Sequence, residues 1–366
     1  MVIAKIKQTR LYQHVLKLGD FFPAIFFFGG FLWDALTIGR NVAYSDLITF
    51  CVYLLIAAAI LFTLGSPRFI LADAAKLPPW LANIHKRLYR ENLPYFLLQF
   101  MFGNLLSSLF ILYFKSSNHI MAWLMSIILA AMLVANEYLE DEYRRFTLSW
   151  ALFGFCAMLL FNFALPYLMG SIHAAWFYLS TILGAGAAYW LYRKTPNHDG
   201  SIKPVGLIAI ILMLAYAFDM IPPVPLVKRD IAVGYALNKV DGNYQLSQQP
   251  SSWWVFWRKT SNDLQVAAGQ RVYCFSSVFA PGGLKTNLYH RWQYHDRKVG
   301  WQTKSRVGFT LSGGRYNGFR GYTYKTDLQA GDWKVSVETE NDKTVAVQEF
   351  SVESVPSALP AIVLVY

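Results

Sequence analysis

The sequence predicts an α-helical polytopic membrane protein of about seven transmembrane helices, followed by an all-β, Ig-like antiparallel sandwich domain. Of its 366 residues 55% are hydrophobic and only 15% charged, against roughly 25% charged in an ordinary soluble domain. Charged residues before Pro222 gather in clusters between long apolar runs, and those after it are spread evenly, as on a soluble surface. Hydrophobic periodicity changes at the same place, from helical to alternating.

A helix needs ~20 mostly apolar residues to cross the hydrocarbon core. Such runs lie at 21–39, 46–66, 95–114, 120–138, 147–169, 172–191 and 205–221, which makes 1–221 the transmembrane domain. Pro23 and Asp34 interrupt the first run, so a tilt or kink is expected there. Lys5, Lys7, Arg10 and Lys17 precede it; Arg68, Lys76, Lys86, Arg87 and Arg90, then Arg144 and Arg145, then Arg193, Lys194 and Lys203 fall in alternate loops on the same side. The opposite loops hold Arg40 and Lys115 alone. Positive residues mark the cytoplasmic side, so the expectation is a multi-pass membrane protein. Its N-terminus is then cytoplasmic and residues 222–366 lie outside. No small-residue cleavage pattern follows the first run, which therefore reads as an uncleaved span. After Pro78-Pro79, Trp80, Leu81, Ile84 and Leu88 recur at helical spacing among Lys86, Arg87 and Arg90. That pattern fits a helix lying on anionic lipid, or one packed between spans.

From Arg229 onward the period is two. Val307, Phe309 and Leu311 alternate with small or polar residues, as do Trp333, Val335 and Val337 with Lys334, Ser336 and Glu338, and each run predicts a half-buried strand. Between Thr344 and Val352 the apolar parity switches around Gln348-Glu349, which predicts a β-bulge there. Turn signals such as Asp241-Gly-Asn, Pro281-Gly-Gly, Ser312-Gly-Gly and Asn341-Asp-Lys separate seven or eight short strands, the spacing of a small sandwich. The apolar end, Ala358 to Tyr366, is too short to span and reads as a final strand or a tail on the membrane surface. Cys51 and Cys156 lie in apolar runs and Cys274 is alone, so the domain has neither an internal disulfide nor a cysteine metal site.

His290-Arg-Trp292, then Gly313-Gly-Arg315, then Gly331-Asp-Trp-Lys-Val-Ser-Val337 and a closing Phe350-Ser-Val352 are similar to the bacterial family known as domain of unknown function 2914. The likeness covers residues 288–352, and the Ile221-Pro-Pro-Val-Pro-Leu226 joint resembles family versions that follow a multi-span membrane part. Where the family tends to have Arg-Trp, this chain has Arg315-Tyr316 with Arg320 close by. The resemblance implies a fold and an envelope location, here the bacterial inner (cytoplasmic) membrane with residues 222–366 as a periplasmic domain, but no reaction and no catalytic residues.

On one face of their strand His290, Trp292 and Tyr294 form an aromatic row, with Tyr289, Arg291, Gln293 and His295 on the other. An aromatic platform flanked by Arg and His suits a sugar, since ring faces cover C–H groups and donors take hydroxyls. His290, Trp292, Arg315 and Arg320 are thus candidate ligand-binding residues; the alternative puts Trp292 and His290 in the core. Trp253, Trp254 and Trp257 fit a membrane interface, with a ligand groove as the second reading. Within the spans Asp34, Asp219, Asn104 and Asn162 are polar and need explaining. Asp34 and Asp219 fall at similar depth, and either line one outward-facing cavity or cap and snorkel near the interface. Glu137, Asp141 and Arg145, with Glu140, Glu142 and Arg144, read as a salt-bridged helix end.

The chain carries no G-x-S-x-G, H-E-x-x-H, P-loop, G-x-G-x-x-G after a strand or C-x-x-C. No cofactor or metal is expected, and no basic stripe marks a nucleic-acid binder despite the net charge of +11. The function read from these features is a non-enzymatic envelope protein. Its sandwich binds a partner protein or glycan, and the spans anchor it in the lipid bilayer or assemble with other subunits. The alternative is a membrane enzyme or carrier acting on a lipid-linked precursor through a cavity containing Asp34 and Asp219. Oligomeric state is not legible.

Overall fold

A computed structural model describes residues 44–66, 93–116, 120–138, 146–197, 199–251, 260–280, 284–312, 318–357 and 361–366. Among the described residues are six α-helices: α1 Tyr44–Leu64, α2 Leu93–Ser116, α3 Ile120–Tyr138, α4 Thr147–Met169, α5 Ala174–Lys194 and α6 Lys203–Ala217. The expected span at 21–39 lies outside the described residues, and seven helices are not supported. Helices α1, α2 and α4 are long and apolar enough to cross a membrane, by length and composition. The apolar stretches of α3, Ser126–Ala135, and of α6 are shorter. The sequence predicts a seventh span over 205–221, yet α6 has 15 residues, about 22 Å at 1.5 Å per residue. That is short of a ~30 Å hydrocarbon core. The helix stops because Asp219 takes a φ of +58° and the Pro222-Pro223 pair follows, which offers no N–H to continue it.

The chain divides into two compact units. The first comprises Met1–Ile111, Ile127–Leu160 and Ile182–Ile210, and its helices approach through small residues. A Cβ on Gly184 would lie 2.6 Å from the Met158 backbone, and one on Gly154 2.8 Å from Val205. Trp150 is fully buried, donates its indole N–H to the Asp199 carbonyl at 3.2 Å and meets Tyr192 edge-on.

The second unit comprises Leu112–Ser126, Phe161–Thr181 and Ile211–Tyr366. Its eleven described strands are β1 Val227–Gly234, β2 Ala236–Val240, β3 Asn243–Gln248, β4 Asp263–Ala267, β5 Val272–Phe279, β6 Lys285–Asp296, β7 Gly300–Ser312, β8 Phe319–Lys325, β9 Gly331–Thr339, β10 Thr344–Val355 and β11 Ile362–Val365. A five-stranded sheet, β4-β10-β9-β6-β7, faces a three-stranded sheet, β1-β5-β8, and a small third sheet is ordered β11-β3-β2. Pairing is antiparallel except between β10 and β4, which run parallel. The main core gathers Val272, Cys274, Trp292, Trp333, Val335, Phe350 and Val352 between the two larger sheets. The third sheet brings Leu246, Leu237, Tyr244 and Tyr366 over Phe275 and Ala232 on the outer face of β1-β5-β8.

Alternation places most of the expected inward residues correctly, with two corrections. The bulge in β10 lies between Thr344 and Ala346, so Val345 and Ala346 are both buried while Val347 turns outward. The parity change read near Gln348 therefore originates three residues earlier. Val307, expected inward, is 42% exposed, because β7 is an edge strand.

Within this unit the strands meet helix ends. Gly170 O accepts from Lys285 N at 3.1 Å, and Ala174 N, at the start of α5, donates to Asn341 Oδ1 at 3.0 Å. The β9–β10 hairpin closes the end of α6: Lys343 Nζ donates to the Tyr216 and Ala217 carbonyls, and Thr344 N donates to Asp219 Oδ1 at 3.3 Å. A cation on the last carbonyls of a helix satisfies acceptors that have no intrahelical partner and complements the helix dipole.

At Gly234 a Cβ would lie 2.2 Å from Ser247 O, a backbone atom that cannot step aside. Gly234→Ala is expected to part the third sheet from β1, read as faster amide exchange over Tyr244–Gln248 with little change in β9.

Candidate functional site

Burial alternates strictly through Leu288–Trp292 of β6, with His290 and Trp292 both at 0% exposure. His290 Nε2 lies 2.7 Å from Ser276 Oγ on β5 and Nδ1 lies 2.9 Å from Thr323 Oγ1 on β8. Trp292 Nε1 donates to the same Thr323 oxygen at 2.9 Å. Burial pushes the imidazole pKa down to about 3, so the ring is neutral, with one nitrogen donating and the other accepting. Phe309 packs edge-on against it, centroids 4.8 Å apart. The aromatic platform expected at these two residues is therefore not open to a ligand: its faces are covered, and its polar atoms bridge the two sheets.

The outer face of the five-stranded sheet carries a closed charge cluster. Arg291 and Arg306 stand directly opposite each other on β6 and β7, a pairing that repels unless anions intervene. Asp342, in the β9–β10 turn, takes both, with Oδ1 at 2.6 Å from Arg291 Nη2 and 3.0 Å from Arg306 Nη2. Arg306 stacks over Tyr289 at 4.0 Å. Glu338, 4% exposed, lies 2.9 Å from Arg291 Nη2 without the alignment of a hydrogen bond. Burial, aided by Asp342 and Asp219 and opposed by the two arginines, pushes its carboxyl up to about 7. Beside the cluster a polar cleft of about 270 Å³ is lined by Ser171, His173, Lys285, Asn287, Glu340 and Asn341 among others. Several of these groups are already engaged: Asn341 and His173 accept from the first amides of α5, and Asn287 accepts from Thr310. This is the seam between helix ends and sheet.

The opposite sheet differs. With Cys274, Ser276 and Thr323 turned inward, period-two geometry sends Tyr273 of β5 and Tyr322 and Tyr324 of β8 to the outer face. Tyr273 sits 5.5 Å from Tyr324 and 6.5 Å from Tyr322, and Tyr322 lies 6.1 Å from Tyr244, centroid to centroid. The third sheet covers Phe275 but leaves Tyr322 and Tyr324 about half exposed, at 49% and 51%. Arg271 lies over Tyr324 at 5.0 Å and Lys239 over Tyr244 at 5.7 Å. An open strip of rings edged with cations results, and it is the candidate site.

Of the residues singled out in the sequence, Arg320 holds this neighbourhood together by donating Nη1–H to Gly242 O at 2.9 Å. Arg315, Asp34, Trp80, Trp253, Trp254 and Trp257 lie outside the described residues, as do the side chains of the Glu137–Arg145 cluster. Asp219 follows α6, and its carboxylate accepts from Thr344 N. Asn104 Nδ2 donates to Phe100 O of its own helix at 2.7 Å. Asn162, 1% exposed, accepts from Thr181 Oγ1 at 3.2 Å. The strip itself was readable only in part: Tyr322-x-Tyr324 alternates visibly, but nothing local joins it to Tyr273 or Arg271.

Residues 285–352 match the family described as Protein of unknown function (DUF2914). The DUF2914 region runs from the start of β6 into β10, and its recurring motif residues are packing residues: Trp292, Trp333, Val335, Val337, Phe350 and Val352 are all buried. It contains Tyr322 and Tyr324 but not β1, β4 or β5, so both large sheets of the sandwich are completed by residues before it. No curated protein matches the chain. Among solved structures it is similar to an immunoglobulin-like protein from Pseudomonas aeruginosa, at 9% identity, 34% of this chain, 98% of that chain and a TM-score of 0.21. It is also similar to β-glucosidases from Listeria innocua (10% identity, 36% and 17% covered, TM-score 0.20) and Bifidobacterium adolescentis (13%, 36% and 18%, 0.18). The chain spans under a fifth of those enzymes' lengths, and nothing of their catalysis carries over.

The two shifted groups set opposite pH slopes. Glu338, raised from 4.5 to about 7, binds more protons folded than unfolded between those values, so its contribution declines as pH rises through that window, by about 3 kcal/mol in all. His290 is depressed, so its contribution is present above about 6.5 and is lost as pH falls toward 3. In melting curves from pH 4 to 8, Glu338→Gln is expected to gain on the wild type as pH rises, and His290→Gln to flatten the acid limb.

Proposed function

We propose that this protein is a non-enzymatic, multi-pass protein of the bacterial inner membrane whose C-terminal β-domain faces the periplasm and binds an envelope glycan across the tyrosine strip. Three helices of spanning length and the one-sided Lys/Arg loops support the membrane placement and topology. The observation that carries the binding role is the open row of Tyr322, Tyr273 and Tyr324 on a rigid sheet. Pyranose C–H faces stack on such rings, while the phenol tips exchange hydrogen bonds with hydroxyls. A partner protein is the other binding class. Its interface would want a dry apolar centre, whereas this strip is narrow, hydroxyl-tipped and edged by Arg271 and Lys239.

In full-length protein reconstituted in nanodiscs, Tyr322→Ala with Tyr324→Ala is expected to weaken polysaccharide binding about tenfold or more, given about 0.5–1.5 kcal/mol per ring contact, with the melting temperature changed little. Protease added to spheroplasts is expected to remove the β-domain. Retained binding in the double variant, or protection of the domain, would refute the respective half of the reading.

A further inference from the structure

We infer that the ligand of the tyrosine strip is an anionic polysaccharide, one bearing carboxylate, sulfate or phosphate groups along its chain; this rests on the glycan-binding reading above. The inference comes from a contrast between the two outer faces of one sandwich. On the five-stranded sheet every arginine described above has its anion, since Asp342 takes both Arg291 and Arg306. On the tyrosine face Arg271 and Lys239 lie over rings and have no carboxylate partner among the described residues. Arg320, the third cation there, bonds a backbone carbonyl, Gly242 O, and no carboxylate among the described residues.

Both kinds of cation are placed where a chain lying on the rings would pass. Arg271 occupies the Tyr324 end of the strip and Lys239 the Tyr244 end, with Tyr273 and Tyr322 between them. A polymer stacked along these rings meets a positive charge at each end, and regularly spaced anions on it would be neutralised at both. A neutral glycan would leave two cations unanswered, stacking equally well but gaining nothing from them. Exposed pairs of this kind are screened by salt, so the charge-dependent part of the affinity is salt-sensitive and the stacking part is not.

The test is a binding series with full-length protein in nanodiscs of phosphatidylcholine. The probes are polygalacturonate, the same polymer after carboxyl reduction, an array of acidic and neutral polysaccharides, and a single-stranded oligothymidylate. Acidic polymers are expected to bind at least tenfold more tightly than their neutral counterparts at 50 mM salt, and the gap is expected to close by 500 mM. Arg271→Gln with Lys239→Gln is expected to abolish the gap while leaving the weaker neutral binding in place; Tyr322→Ala with Tyr324→Ala is expected to weaken acidic and neutral polymers alike, by about tenfold or more. Equal affinity for charged and reduced polymers overturns the anionic assignment and leaves glycan binding standing. No binding of any polysaccharide overturns both. Oligothymidylate bound more tightly than every polysaccharide, through the same residues, replaces the glycan with a nucleic acid.

Discussion

The β-domain depends on one buried polar bridge. His290 of β6 reaches Ser276 of β5 with one nitrogen and Thr323 of β8 with the other, and Trp292 adds its indole N–H to the same threonine. All four residues are nearly or fully buried. In a dry core an unpaired imidazole or hydroxyl costs more than a hydrogen bond returns, so any slip of one sheet against the other leaves several groups unsatisfied at once. Hydrophobic contacts are non-directional and tolerate such a slip; this set does not. The bridge thereby fixes which side chains of β5 and β8 point inward.

The outer face then follows by elimination. A strand has two faces, so committing Cys274, Ser276 and Thr323 to the core commits Tyr273, Tyr322 and Tyr324 to the outside. The small β11-β3-β2 sheet lies over Phe275 and stops short of Tyr322 and Tyr324, converting one end of the face into core and leaving the other open. Structural and functional residues thus alternate along the same strands, and the histidine that looks most like a site residue holds the real candidate site in place from behind.

The opposite sheet is organised around satisfaction of charge. Arg291 and Arg306 face each other, Asp342 bridges them, and the same turn sends Lys343 to the end of α6 and Thr344 to Asp219. Glu338 is enclosed as a result, which lifts its pKa far above that of an exposed carboxylate. This hairpin serves as the mechanical joint of its unit, and its polar groups are used internally rather than offered to a ligand.

Much of this was determined by the sequence alone. Continuous apolar runs report helices directly, because in such a segment the backbone must satisfy itself whatever its neighbours are; α4 occupies the residues its run predicts. Alternation reported the inward set of β9, because the period of a strand is a local property. The family motif was legible for the same reason: it is a packing pattern. Tertiary structure decided what depends on partners distant in the chain. It ended α6 early at Asp219, moved the β10 bulge to Val345, made the β10–β4 pair parallel and enclosed Glu338. It also assembled a tyrosine strip from β3, β5 and β8, whose residues are separated by up to eighty positions. Whether an aromatic side chain is core or surface depends on which sheet covers its face. No local pattern records that, since Trp292 and Tyr322 sit in strands of similar alternation, and only the layer laid over each distinguishes them.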